Sequence, residues 1–322
     1  MGDDSSGVSA GGSLTFTATV AGPGAALTPT GSIAWTLTGP NSPSCSSSTL
    51  SISGTATCTV SGVVVGTYGA TASYSGDSYY TGSSGSDTTA TVGPAALTIT
   101  ASSGSFTYGG TPPSISPSYA GFVNGDSPSA LSTLPSCSTP AVSSSPVSGS
   151  PYPSTCSGAV DSNYDISYVN GSVTISAAPL SVTASDGTMT YGGSAPAITA
   201  GYTGFVNGDT ASSLSTKPKC LTTADSSSSV AGSPYATSCS GAVDSNYNIS
   251  YAGGFVTVNP AALTVSASNG AMVYGGTPPT ITVAGYAGFV NGETRSSLST
   301  KPTCSTSATS SSPVSGSPYP SS

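Results

Sequence analysis

The sequence predicts an all-β chain of small modules in a row, and three observations carry that prediction. A block of about 83 residues recurs, cysteines recur in step with it, and apolar residues alternate with Ser and Thr at a period of two rather than at helical spacing. Of the 322 residues only 5% are Asp, Glu, Lys or Arg and 36% are hydrophobic; soluble domains average about 25% charged residues. Hydroxyls and backbone therefore do most of the work of hydrating the surface. The 41 Gly and 25 Pro approach a disordered composition, but the regular placing of Tyr, Val and Ile and the paired cysteines favour ordered strands.

Residues 1–93 form a first module outside the repeat. Alternating runs at residues 14–20, 33–37, 54–60 and 68–74 predict strands whose spacing fits a β-sandwich. The module is expected to begin at Val8 without a full first strand, with Trp35 in its core and Cys45 and Cys58 stapling two neighbouring strands.

The repeat then spans 94–177, 178–259 and 260–322. Its opening strand starts at Leu97, Leu180 and Leu263 and alternates apolar and hydroxyl residues. Tyr108-Gly109-Gly110, Tyr191-Gly192-Gly193 and Tyr274-Gly275-Gly276 follow, a glycine pair that marks a bend needing positive φ. The third block reads Tyr-x-Gly-Phe-Val-Asn-Gly and ends on Asp126, Asp209 or Glu293. From that acid to Leu131, Leu214 or Leu298 one or two helical turns are expected, the only helix of each repeat. Asp126 or Asp209 would sit near its N-cap, with Pro128 tolerated in the first turn. The repeat is expected to close with a hairpin. Strands from Tyr164 to Tyr168 and from Tyr247 to Tyr251 would turn at Asn170-Gly171 and Gly253-Gly254 in type I′ geometry and return through Val173-Thr174-Ile175 and Val256-Thr257-Val258.

The seven cysteines fit this frame. Cys137 and Cys156 are 19 apart, as are Cys220 and Cys239, while Cys137, Cys220 and Cys304 step by 83 and 84. Disulfides Cys137–Cys156 and Cys220–Cys239 follow, and a partner for Cys304 would fall at 323, so Cys304 is expected to be unpaired by truncation. Zinc is disfavoured, because the chain has no His and no C-x-x-C pair. Recurrent disulfides imply an oxidising compartment. The third repeat would lack about twenty residues, its second cysteine and last hairpin, which makes residues 260–322 the expected weak point.

On these residues the chain resembles two families. The Tyr-Gly motifs at 108, 191 and 274, the Gly-Phe-Val-Asn-Gly-acid blocks and the Asn-Tyr-x-Ile-Ser-Tyr segments at 163–168 and 246–251 resemble tandem MBG-type domains of the Tyr-Gly-x variety. Residues 8–92 resemble a bacterial Ig-like repeat through Gly54-Thr-Ala-Thr, Gly66-Thr-Tyr and Tyr74-Ser-Gly-Asp-Ser-Tyr79. The resemblance implies one Ig-like β-sandwich followed by small β-grasp-like modules with at most one short helix each, in a secreted or surface-attached bacterial protein acting as a spacer or adhesive array. It brings no active-site motif. The paired cysteines depart from the commoner cysteine-free members.

The motifs that carry catalytic chemistry are missing or isolated. Without His, Ser-His-Asp and Cys-His sites are excluded. Gly7-Val-Ser9-Ala-Gly11 matches G-x-S-x-G but has no helix after it and no base, and S-x-x-K does not occur. Asp161, Asp165 and Asp244 are too scattered for a glycosidase pair, and Asp77 reads as a turn residue rather than a calcium ligand. A shared ion site at Asp126, Asp209 and Glu293 stays open. No enzyme activity and no cofactor are expected. The net charge of -8 argues against nucleic acid and anionic membranes as partners, and no apolar run reaches 18 residues. The leading expectation is an extracellular spacer whose partners are neighbouring modules. The rivals are an adhesive module binding surface glycans or proteins through its 17 Tyr, and an appendage of a larger exported enzyme.

Overall fold

The computed structural model describes residues 1–24 and 27–322, in two compact units, 1–176 and 177–322. In the first unit, residues 1–93 carry β1 (Gly2–Asp3), β2 (Ser13–Thr19), β3 (Ser32–Thr38), β4 (Ser48–Thr49), β5 (Thr55–Ser61), β6 (Gly66–Gly76) and β7 (Thr81–Val92). They form two antiparallel sheets, β1-β2-β5 and β4-β3-β6-β7. Alternation decides which faces meet. Leu14, Phe16 and Ala18 of β2 are buried and Thr15 and Thr17 are not. The buried set packs with Cys58, Tyr68, Ala70, Ala90 and Val92 at one end and with Ile33, Ala56, Ala72 and Tyr74 at the other. Each fully buried Phe or Leu contributes about 1.5–3 kcal/mol. Trp35 is half-buried between the two clusters and donates its indole N–H to Ser48 Oγ at 2.8 Å. A short first strand exists: Gly2 and Asp3 pair with Thr17 and Phe16.

The first repeat carries β8 (Ala95–Ala101), β9 (Gly104–Thr107), β10 (Pro117–Ala120), β11 (Ser136–Ser138), β12 (Tyr152–Ser157), β13 (Tyr164–Val169) and β14 (Gly171–Ser176). One sheet has the order β10-β8-β13, the other β11-β12-β14-β9. β13 runs parallel to β8, with Ile166 opposite Leu97, and β14 runs parallel to β9, with Ile175 opposite Phe106. Leu97 and Ile99 are fully buried against Tyr164, Leu131 and Cys156. The second repeat reproduces this plan with β15 (Ala178–Ala184), β16 (Gly187–Thr190), β17 (Ala200–Thr203), β18 (Lys219–Thr222), β19 (Tyr235–Ser240), β20 (Tyr247–Ala252) and β21 (Gly254–Asn259).

The expected closing hairpin is absent. β13 and β14 are separated by Asn170 alone, yet they belong to different sheets and each pairs with a strand from the start of the repeat. Neither Asn170-Gly171 nor Gly253-Gly254 takes positive φ, so no type I′ turn forms. The glycines answer a different demand. A Cβ on Gly171 would meet the carbonyl oxygens of Ala101 at 2.5 Å and Ser102 at 2.7 Å, and one on Gly254 that of Ala184 at 2.7 Å. Close backbone approach where the chain passes between sheets, not turn geometry, selects them.

The helix expectation also changes. Pro128–Ala130 and Arg295–Ser297 are single 3-10 turns, and the matching residues of the second repeat form only turns. Their N-cap positions are Ser127 and Thr294, so the acids do not cap. The first and third repeats carry two short helices rather than one, because another 3-10 turn recurs at Val147–Gly149 and Val314–Gly316; its counterpart Val230–Gly232 is the one 3-10 turn of the second repeat.

In the third repeat β22 (Thr264–Ala267) pairs with β23 (Val283–Ala287). A cleft of about 500 Å³ is lined by Met272, Tyr274, Ile281, Ala308 and Tyr319, among others. Their counterparts Met189, Tyr191, Ile198, Ala224 and Tyr235 in the second repeat close around Val256 and Val258 of β21. In the second repeat β21 fills the space that corresponds to this cleft.

Two outcomes follow. Amides of β22 and β23 will exchange with solvent faster than those of β15 and β17 in the same chain; equal protection would contradict this account of the third repeat. Gly171→Ala will destabilise the first repeat by about 1–3 kcal/mol through overpacking, whereas exposed Asn170→Ala will stay within about 0.5 kcal/mol. Native-state hydrogen exchange of residues 95–176 reads both, and the reverse order would restore the hairpin.

Candidate functional site: the stapled loops and the acid–tyrosine block

Two features recur with chemistry in them. The first is the stapled loop. Cys137 in β11 lies directly opposite Cys156 in β12, and Cys220 in β18 opposite Cys239 in β19; both couples are joined as disulfides. Cys156 packs into the cluster of Leu97 and Ile99, and Cys239 into that of Val182 and Ala184. Each bridge therefore ties an edge strand to the module's core. Closing a loop of this length is worth about 3 kcal/mol in the chain-entropy model. Cys304 has no disulfide partner and is half-buried. Cys45 is joined to Cys58, but not between neighbouring strands. Cys45 lies in the irregular connection from β3 to β4, and Cys58 lies in β5 of the other sheet, so this bridge ties a loop across the sandwich.

The loops between the paired cysteines are fixed by their own side chains. The hydroxyls of Tyr152, Tyr235 and Tyr319 donate to the carbonyls of Pro146, Ser229 and Pro313 at 3.0, 3.0 and 2.8 Å. Ser150 and Ser233 Oγ accept the N–H groups of Ile175 and Val258 at 2.9 and 3.0 Å. The peptide bonds before Pro151, Pro234 and Pro318 are cis. In the sequence, Ser-Pro-Tyr at 150–152, 233–235 and 317–319 shows this tie only as a recurrence. Its role needs the hydrogen-bond partner six residues upstream.

The second feature is the third block. Asn124 and Gly125 take φ of 56° and 79°, as Asn207 and Gly208 take 54° and 79°, and the turn closes when Asp126 N–H donates to Val123 O at 2.9 Å. Phe122 meets Tyr164 edge-on at 5.5 Å, and Phe205 meets Tyr247 in the same way. The buried Tyr164 hydroxyl donates to Asp126 Oδ2 at 2.7 Å and accepts from Val123 N–H at 3.1 Å. Tyr247 does the same with Asp209 at 2.6 Å and Val206 at 3.2 Å. Burial, opposed by the Val123 bond and reinforced by Asp126, pushes the Tyr164 phenol above its usual range, so it stays a donor at neutral pH. Glu293 accepts from the Tyr191 hydroxyl of the second repeat at 3.2 Å.

These contacts place the remaining candidates. The acids of the third block sit singly, each held by a tyrosine, and among the described residues no three His, Cys, Asp or Glu side chains stand close enough to hold a metal ion. Of the tyrosines, Tyr68, Tyr74, Tyr108, Tyr164 and Tyr247 are buried, while Tyr79 is 76% exposed. Asp77 organises the loop beside it: its carboxylate accepts from Thr30, Tyr79 and Tyr80 N–H groups at 2.8, 2.8 and 2.9 Å. Asp161 and Asp244 each accept a backbone N–H two residues on, from Asn163 and Asn246.

Fold and site together define a tandem array of small two-sheet β-modules, stapled at an edge and preceded by a β-sandwich. Residues 97–174, 180–257 and 263–322 match the family model described as MBG domain (YGX type), and residues 2–93 match that of the bacterial Ig-like domain (group 3). The chain belongs to the MBG domain (YGX type) family and carries a bacterial Ig-like domain ahead of its three repeats. No curated protein matches it.

The Thr30 backbone bond first, then that from Tyr79, hold the Asp77 carboxyl well below the usual carboxylate range. A depressed value means that the ionised form stabilises the fold above the unfolded value near 3.8, and that this stabilisation is lost progressively as pH falls from there through the folded value. Asp77→Ala will therefore lower the thermal stability of residues 1–93 at neutral pH, and its deficit will still be measurable at about pH 3. A deficit that has vanished by about pH 4 would contradict this.

Proposed function

We propose that this segment is a non-catalytic spacer of an extracellular bacterial surface protein, holding functional domains apart. Its modules run 1–93, 94–177, 178–259 and 260–322, and Cys45, Cys58, Cys137, Cys156, Cys220 and Cys239 serve as structural staples. One observation carries the reading: the polar groups that recur from repeat to repeat are occupied by the framework of the repeat itself or of the module beside it. Tyr164 and Tyr247 hold Asp126 and Asp209, and Tyr152 and Tyr235 hold loop carbonyls. Repetition of framework without a repeated free constellation suits a protein selected for reach. The disulfides support an oxidising location, because cytosolic thiols are kept reduced. The family supports it further, as a repeat region of Ig-like and MBG domains.

Antibodies raised against this chain will label intact, non-permeabilised cells of its source or recover it from their medium. When free thiols are blocked at lysis, the six cysteines will resist alkylation. Labelling that requires permeabilisation, with all seven cysteines alkylated, would overturn the reading.

A further inference from the structure

The Val-Asn pair inside the third block does not point into its own repeat alone. In the first unit, a Cβ on Gly11 would collide with the side chain of Val123, and Asn124 Nδ2 reaches Val63 O at 3.5 Å. Gly11 has φ of 83° and donates its own N–H to that same Val63 carbonyl at 2.7 Å. In the second unit, a Cβ on Gly192 would lie 2.5 Å from Val290 Cβ, and Asn291 Nδ2 donates to Ser226 O at 2.7 Å. Gly192 also has φ of 83°, and its N–H donates to that same Ser226 carbonyl at 3.2 Å.

The two arrangements are the same although their hosts are not. Gly11 belongs to a β-sandwich and Gly192 to an MBG repeat. In each, a left-handed glycine leaves room for a valine, and one carbonyl uses its two lone pairs for the glycine N–H and for the incoming Asn amide. We propose that Val-Asn is a docking plug and the left-handed glycine with its shared carbonyl is the socket, and that within each unit this contact sets the angle between its second module and its first. The kind of partner is thereby specified: any module that presents a glycine at φ near 80° donating to a carbonyl beside open space.

Two observations add weight. Asn124 and Asn291 are themselves left-handed, at φ of 56° and 52°, which aims their amides out of the loop. The socket also forms without a plug. Gly275 has φ of 81°, donates to Ser310 O at 3.0 Å and has nothing within 4 Å of its Cβ position. A preformed socket loses little conformational freedom on docking. The first junction is further sealed by Ala10 and Val65, which pack into the cluster of Leu97 and Tyr164, and by Val65 N–H on Asn163 Oδ1 at 3.3 Å.

The test measures residual dipolar couplings on the full chain, comparing residues 13–92 with residues 95–176. Asn tolerates left-handed backbone better than most side chains, so Gly11→Asn adds volume under Val123 at a small backbone cost. Asn124→Asp keeps shape but removes the donor to Val63. In the wild type both residue sets will fit one alignment tensor. In each variant the sets will require two tensors while each still fits its own module, which also excludes unfolding as the cause. A single tensor in both variants, or two tensors in the wild type, would overturn the proposal. Neither result bears on where the protein is located, so the spacer reading is tested separately.

Discussion

Each repeat is held together by parallel pairing between its beginning and its end. β13 lies beside β8 and β14 beside β9, with partners such as Leu97 and Ile166 some 69 positions apart in sequence. Such a closure is costly in chain entropy, though the cost grows only slowly with loop length. Once made, it orders what lies between. β10 gains an edge on β8, β12 gains an edge on β14, and the stapled loop hangs from β12. The disulfide lies at the far edge of the second sheet and shortens the free loop; it does not replace the closure. The third repeat illustrates this: where β14 and β21 stand in their repeats, it has a cleft between Met272 and Tyr319.

The same constraint explains which parts of the fold were legible from sequence. Strands with one buried face were readable, because Leu14, Phe16 and Ala18 or Leu97, Ile99 and Ala101 alternate with hydroxyl residues. The path between strands was not. Asn170-Gly171 satisfies the composition of a tight turn and also the need for a small residue where two sheets approach, and local sequence does not separate them. Knowing that β13 and β14 part company requires knowing that β8 and β9 do the same. The helical run after the third block failed for a similar reason. Asp126 has the position of a cap, but a buried tyrosine 38 residues away takes its carboxylate, and Ser127 is left at the helix start.

The candidate site shows the same division. Cysteine spacing was readable because a repeat transmits register unchanged. The partner of the Ser-Pro-Tyr tyrosine and the fit of Val123 against Gly11 were not, since both depend on surfaces that meet only after folding. Low charge is consistent with this design. With 5% charged residues, hydrogen bonds from Ser, Thr, Tyr and Asn carry the specificity that ion pairs carry elsewhere, and such bonds are insensitive to salt.

The most direct measurement of the central claim is to append to residues 260–322 the segment that closes the second repeat. Appending a copy of residues 239–259 after Ser322 provides a cysteine 19 positions beyond Cys304 and counterparts of β20 and β21. Closure by end-to-start pairing predicts that Cys304 becomes oxidised and that amides of β22 and β23 rise to the protection of β15 and β17. A chain so extended in which Cys304 stays reduced and those amides exchange as before would show that something other than this pairing holds a repeat together.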